Sequence, residues 1–382
     1  MKPHFISNET LNVLKGLPTP SFVIDEGRLL SNLKVLNNIE KLSGCKILLA
    51  QKCFSTYRLY PLIGQYLSGT VASGLFEARL AAEEMPGKEN HVFAPAFKAE
   101  DIEELDSMCG HIVFNSWNQF FLHSSKCKNA SLGIRINPEF STQNHAIYDP
   151  CSYGSRLGIR LCDMPKELPE RVDGFHFHTL CEQGFEDLER TFKEVEKKFS
   201  KFFPKLKWLN LGGGHYITHE DYNVEGLINL LKYIREKYGL QTYLEPGEGV
   251  VLNSGYLVST VMDKVKNGLE ILILDASAAC HCPDVIEMPF LPPVFETAEN
   301  GQFLYRLSSM TCLAGDVFGD YNFLREKSVG DKVIFEDMAL YTMVKTNTFN
   351  GMPLPEIFVL HSDNKAESIK KFGYEDFKMR LG

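Results

Sequence analysis

The sequence predicts a (β/α)8 barrel followed by a mainly β domain, and three observations lead there. Eight short, mostly apolar runs recur over roughly 230 residues, which is the strand count and length of such a barrel. Helix-like stretches fill many of the gaps, and alternation of this kind implies parallel strands with helices outside. Past Glu245 the texture changes to strands separated by turn signals, with few helices between them. A chain of 382 residues also exceeds one ordinary domain, on a prior of about 150 residues each.

Taken in order, a helical pattern at 25–42 precedes the first apolar run, 47–50. The further runs are 70–72, 91–94, 111–114, 132–136, 174–178, 208–211 and 242–244, with helical stretches at 77–84, 185–203 and 224–238. Beyond them 256–265, 269–275, 302–310 and 332–335 read as strands, and Val329-Gly330-Asp331 is a turn signal. The expected division is therefore a barrel over 18–248 and a β domain over 249–382, with 1–17 joining the latter. A doubly wound sheet is the structural alternative for the first part.

Composition narrows the class of function. A hydrophobic content of 44% with 23% charged residues is globular. No stretch approaches the roughly 20 apolar residues that cross a bilayer, and the opening residues lack the apolar core of a signal peptide. The net charge of −9 argues against nucleic acid as a partner and weakly favours a cationic ligand. Ten scattered cysteines without an export signal read as reduced thiols, so a soluble cytoplasmic protein is expected.

In these barrels catalytic groups cluster at the carboxyl ends of the strands. Lys52 closes the first strand, where an amine of lowered pKa could form a Schiff base; a solvated lysine is the plain alternative. Gly212, Gly213 and Gly214 end the seventh strand, where glycines let backbone N–H groups cradle a phosphate, or simply make a tight turn. Glu245, in Glu245-Pro246-Gly247, could hold a protonated ring nitrogen, or cap a helix. His176 and His178 share one face of a strand while Phe175 and Phe177 share the other. His178, nearer the mouth, could stack on an aromatic cofactor; a pair of hydrogen-bonded interior histidines is the alternative. A metal bound by these histidines with His215, His219 or Cys280-His281-Cys282 lacks any supporting C-x-x-C or H-E-x-x-H pattern, so no metal is expected. A buried lysine, a glycine cradle, an acid for a ring nitrogen and a stacking histidine together meet the needs of pyridoxal 5′-phosphate.

At these residues the sequence resembles the fold-type III pyridoxal-phosphate decarboxylases, a family that includes ornithine and diaminopimelate decarboxylases, over nearly the whole chain. Within it the similarity is to the bacterial carboxynorspermidine (carboxyspermidine) decarboxylases. The segments that carry it are 49–54, 153–158, 177–182, 280–284 and 311–320. The resemblance implies that Lys52 holds the cofactor, His178 stacks on its ring, Gly212 to Gly214 bind its phosphate and Glu245 pairs with the pyridine nitrogen. It also implies Arg135 near the cofactor, Tyr341 at its phosphate, and Cys312 protonating the product from the partner chain of an obligate homodimer. Three departures matter: Glu248 follows Gly247 where many relatives have Arg, Leu180, Cys181 and Glu182 replace small donors, and the first acid after Cys312 is Asp316, four residues on. The last two agree with the carboxynorspermidine branch.

The implied substrate is a carboxylated polyamine, each ammonium of which needs an acidic or carbonyl partner, because unpaired buried charge is costly. Asp316 is the first candidate, with Asp275, Asp284 and Asp320 behind it; Arg156 could hold a carboxylate or brace its loop, and His281 is undecided. A decarboxylase of diaminopimelate or ornithine, an amino-acid racemase of the same fold, and a pyridoxal-phosphate carrier are the alternatives. Glu245 argues against the racemase, whose ring nitrogen typically faces Arg, and the added β domain argues against the carrier.

Overall fold

A computed structural model of the chain describes residues 6–143 and 146–382. It divides into two compact units, Asn32–Val250 and, together, the described residues up to Ser31 with Val251–Gly382.

In the first unit eight strands pair in parallel in chain order: Lys46–Ala50, Gly69–Ala72, Glu89–Phe93, His111–Phe114, Ser131–Asn137, Val172–His176, Trp208–Asn210 and Gln241–Leu244. The last pairs with the first, Tyr243 opposite Lys46, so the sheet closes and has no free edge. All eight apolar runs lie on these strands or at their ends. Their continuous apolar character follows from burial on both faces, inside against the barrel axis and outside against helices such as Leu75–Glu84, Phe185–Phe199 and Val224–Tyr238. Trp208 helps fill the interior with Leu48, Ala50, Val71, Val113 and Tyr243. It lies so close to its neighbours that a Cβ on Gly133 or Gly174 would stand 2.2 or 2.0 Å from its ring. Those two glycines are thus packing requirements rather than turns.

The second unit is built on an eight-stranded sheet. Its centre is Gly255–Asn267, which pairs antiparallel with Leu269–Leu274, with Lys332–Glu336 and with Ser21–Asp25. Ser21–Asp25 also pairs in parallel with Glu356–Leu360. The boundary expected at residue 18 therefore falls later: Ser21–Asp25 is a strand of this sheet, where Val23 packs with Tyr256, Val258 and Phe358. The physical reason is that a strand of four buried residues must bury both faces, and the barrel had already closed without it. Of the 1–17 segment, residues 1–5 lie outside the described residues.

Candidate active site

Lys52 directly follows the first barrel strand, on backbone pinned by Ala50 N–H to Pro246 O (3.1 Å), Gln51 N–H to Val71 O (3.1 Å) and Cys53 N–H to Ala50 O (3.0 Å). Its side chain still reaches solvent. Desolvation by the surrounding protein lowers its pKa, and the Arg135 guanidinium lowers it further, against the opposing charge of Glu245. A lysine so placed is more readily the neutral amine that nucleophilic chemistry needs.

Glu245 follows the last barrel strand, its N–H held by Gly212 O at 2.8 Å. The Asn210 amide donates to Oε1 at 2.6 Å, and His176 Nε2 lies 3.2 Å from Oε2. Burial would raise this carboxyl; His176 and the Asn210 amide overcome it and hold the pKa at about 2. Burial in turn pushes His176 toward its neutral form, with Glu245 opposing. At neutral pH the Asn210 hydrogen bond is therefore the firmer of the two supports of an ionised Glu245. Asn210 was not singled out from the sequence, although a polar side chain in the apolar run Trp208-Leu209-Asn210-Leu211 was the available signal.

His178 stands two residues past the strand end at His176, half-buried, and its Nδ1 accepts the Gly213 N–H at 2.9 Å. This places the proton of the neutral ring on Nε2. Burial, then the charges of Lys52 and Arg135, push its pKa well down, so the ring is neutral. Arg135, on the strand Ser131–Asn137, is buried; it donates to His178 O at 2.8 Å and its guanidinium lies 4.7 Å from the Phe93 ring centroid. Burial lowers even this guanidinium to about 10, against the pull of Glu245.

The glycine turn is more occupied than the sequence suggests. Gly212 N–H donates to Asn210 Oδ1 at 2.9 Å and Gly213 N–H to His178 Nδ1, so two of the three N–H groups shape the turn itself. Among the described residues the Gly214 N–H alone of the three has no acceptor. Glycine is obligatory here, for Gly212 and Gly214 adopt φ of +71° and +83°, and a Cβ on Gly213 would stand 2.1 Å from Glu245 O. Lys52, Glu245, His176, His178, Arg135 and the glycines thus converge through direct contacts or mutual charge. Arg156 is exposed on the loop after Ser131–Asn137, its carbonyl bonded by Asn115, and its charge bears on Arg135.

In the second unit most of the residues expected to touch substrate have partners within the chain. Asp316 is buried and accepts from Ser277 Oγ (2.6 Å), Ser309 Oγ (2.6 Å), Ala279 N–H (3.1 Å) and Thr311 Oγ1. Asp275 accepts from Ser259 Oγ and Thr260 N–H at 2.7 and 2.8 Å and from Thr19. His281 is fully buried, with Nδ1 accepting from Ser277 N–H and Nε2 facing Pro353 O at 3.0 Å. Asp284 pairs with Lys345, and Asp320 with Arg306 through two contacts of 2.7 and 2.9 Å. Asp316, with four donors, is the most fully engaged of these carboxylates. Cys312 differs: it lies on an exposed loop, its N–H held by Asn350 Oδ1 at 3.1 Å. Tyr341, half-buried, precedes the short helix Thr342–Lys345 with φ of +49°. Among the described residues no group of three His, Cys, Asp or Glu could hold a metal ion, and no helix is long and apolar enough to cross a membrane.

Comparison with known proteins gives this geometry its setting. Residues 21–339 match the family described as "Pyridoxal-dependent decarboxylase, C-terminal sheet domain". A carboxynorspermidine/carboxyspermidine decarboxylase of Campylobacter jejuni is 42% identical over 95% of this chain and 98% of its own. A carboxyaminopropylagmatine decarboxylase of Synechocystis is 40% identical over 97% of each. Among solved structures, the C. jejuni carboxynorspermidine decarboxylase complexed with norspermidine superposes with a TM-score of 0.90 at 41% identity, covering 95% of this chain and all of that one.

Proposed function

The chain belongs to the pyridoxal-dependent decarboxylase family, and on that premise we infer that it decarboxylates carboxynorspermidine and carboxyspermidine, a step of polyamine biosynthesis. The full-length similarity to relatives that carry this name supports the substrate class. The observation that carries the chemistry is the convergence of a lysine of lowered pKa with an ionised, buried glutamate at neighbouring strand ends.

Pyridoxal 5′-phosphate fits the residues present. It requires an amine, an anionic partner for its ring nitrogen and a flat neighbour, and Lys52, Glu245 and the neutral ring of His178 meet those needs. The fit is narrower at the phosphate, where Gly214 is the one glycine of the three with an uncommitted N–H among the described residues. Tyr341 is the further phosphate contact we assign. When bound, this group supplies an electron sink for the electron pair left behind as CO2 departs.

The protein's own residues then have distinct tasks. Lys52 Nζ would be the amine that holds the cofactor's aldehyde until the substrate's α-amine takes its place. Glu245, whose ionised form Asn210 supports, would keep the ring nitrogen protonated by accepting a charge-assisted hydrogen bond from it. Arg135 braces the His178 carbonyl, and the Gly213 N–H orients the ring of His178. The Cys312 thiol delivers a proton to Cα after CO2 is lost, and we assign it to the partner subunit of a homodimer. A cytoplasmic setting suits the ten cysteines, none of which forms a disulfide.

The 40% identical Synechocystis relative favours a second reading, in which the far end of the substrate is a guanidinium rather than an ammonium. Purified protein with cofactor, assayed for CO2 release and product on carboxynorspermidine, carboxyspermidine, carboxyaminopropylagmatine, ornithine and diaminopimelate, decides among them. Turnover of a carboxylated polyamine is expected; release from ornithine or diaminopimelate alone would overturn the assignment.

A further inference from the structure

The loops that leave three barrel strands, Ser131–Asn137, Val172–His176 and Trp208–Asn210, are tied together through one side chain, Gln183. Its Oε1 accepts from Thr142 Oγ1 (3.0 Å) and Gln143 Nε2 (2.6 Å), and its Nε2 donates to Thr142 O (2.9 Å). Its backbone N–H donates to Gly214 O at 3.3 Å and its carbonyl accepts the Tyr216 N–H at 3.0 Å. Gln143 Nε2 also donates to Cys181 O at 2.9 Å. Both chain neighbours of Glu182 are therefore anchored.

Glu182 itself has φ of +55°. Among the described residues of the barrel unit, only Glu139 and Glu182 are non-glycine residues in the left-handed region. Both are glutamates, on the tied loops of adjacent strands. Glu139 is within electrostatic reach of Arg160. Glu182 is exposed and, among the described residues, has no ion-pair or hydrogen-bond partner for its carboxylate. Its charge bears instead on the Cys181 thiol, which burial pushes up to about 11, with Glu182 and Glu248 adding and Lys52 opposing. The carboxylate of Glu182 and the amine of Lys52 thus act on the same thiol. A solvated surface acid needs no such clamp, and a non-glycine residue in this conformation persists only where its surroundings over-determine it. Meanwhile Asp275, Asp316, Asp284 and Asp320 are already taken by internal partners.

Resting on the carboxylated-polyamine reading of the site, we propose that Glu182 is a specificity residue that binds the cationic group at the far end of the substrate, held in place by Gln183. A glutamate suits this because an ammonium or guanidinium donates a charge-assisted hydrogen bond to a carboxylate and is left without an ionic partner by a neutral residue. The length of the arm would then be read by the distance between Glu182 and Lys52.

The test is the ratio of kcat/KM for carboxynorspermidine to that for diaminobutyrate, which keeps the reacting carbon and lacks the far amine. Loss of one charged hydrogen bond corresponds to about a ten- to hundredfold change. In Glu182→Gln holoenzyme that ratio is expected to fall by about this factor, through KM for the long substrate, while the cofactor absorbance stays. Glu182→Gly guards against misfolding, because glycine adopts this φ freely; its thermal midpoint should equal or exceed the wild type while the ratio falls alike. An unchanged ratio in both variants, with an active wild type, overturns the inference alone. A wild type that turns over no carboxylated polyamine overturns the functional reading beneath it.

Discussion

Replacing Glu245 with glutamine tests the electrostatics of the site in a way that needs no substrate. The carboxyl is nine-tenths buried and held at about 2, below its ordinary 4.5. Such a fall, at roughly 1.4 kcal/mol for each pH unit, makes ionised Glu245 worth about 3 kcal/mol to the folded state. His176 is mostly neutral at pH 7, so about 2–3 kcal/mol is the expected loss in Glu245→Gln. A depressed acid contributes stability that is complete above the unfolded pKa of 4.5 and is lost as pH falls toward about 2. The deficit of the variant must therefore be full at pH 7 and cut to roughly half or less by pH 3. At about 2–4 °C for each kcal/mol in a unit of this size, the cofactor-free variant should melt roughly 4–12 °C below wild type at pH 7. Thermal unfolding of both proteins at the two pH values is the assay. A deficit that is absent at pH 7, or as large at pH 3 as at pH 7, refutes the claim that Asn210 and His176 stabilise a buried carboxylate.

Other consequences can be checked separately. Lys52→Ala should abolish borohydride trapping of the cofactor and nearly all turnover; trapping at another side chain would remove Lys52 from its role. Cys312→Ala should retain the cofactor's absorbance and slow product formation by about a hundredfold or more, as expected of a lost general acid, and wild-type turnover would exclude that thiol. Asp316→Asn sets an amide among four donors, so it should cost about 2–4 kcal/mol of stability with little change in KM; a raised KM in an equally stable protein would mark Asp316 as a substrate contact instead. Gly214→Ala combines a φ of +83° with a Cβ 1.9 Å from Leu180 O, so it should weaken both folding and cofactor affinity, read by melting and by cofactor titration. Retention of both would mean that the turn is looser than its contacts imply.

Strand positions were legible because a strand buried on both faces needs an unbroken apolar run, and the eight runs have no competing explanation. Strand-end residues such as Lys52 and Glu245 stood out because polar groups interrupt those runs at their carboxyl ends. Asn210 is harder to read for the complementary reason: it lies inside a run, where a polar residue reads as an exception until its partner beyond the end of the neighbouring strand is known. The internal partners of the acids of the second unit are not legible in sequence, because an aspartate looks the same whether its lone pairs are free or engaged. Ser277, Ser309 and Thr311 reach Asp316 from separate segments, and nothing in local spacing announces that they meet.

Periodicity and composition were thus enough for the barrel and its strand count, since these depend on burial patterns repeated along the chain. Only the tertiary structure assigned Ser21–Asp25 to the second sheet, surrounded Asp316 and Asp275 with donors from distant segments, and tied Gln183 to Thr142 and Gln143. Those outcomes depend on which distant groups satisfy one another's hydrogen bonds and charges, and that pairing is decided by the closed fold rather than by any stretch of sequence.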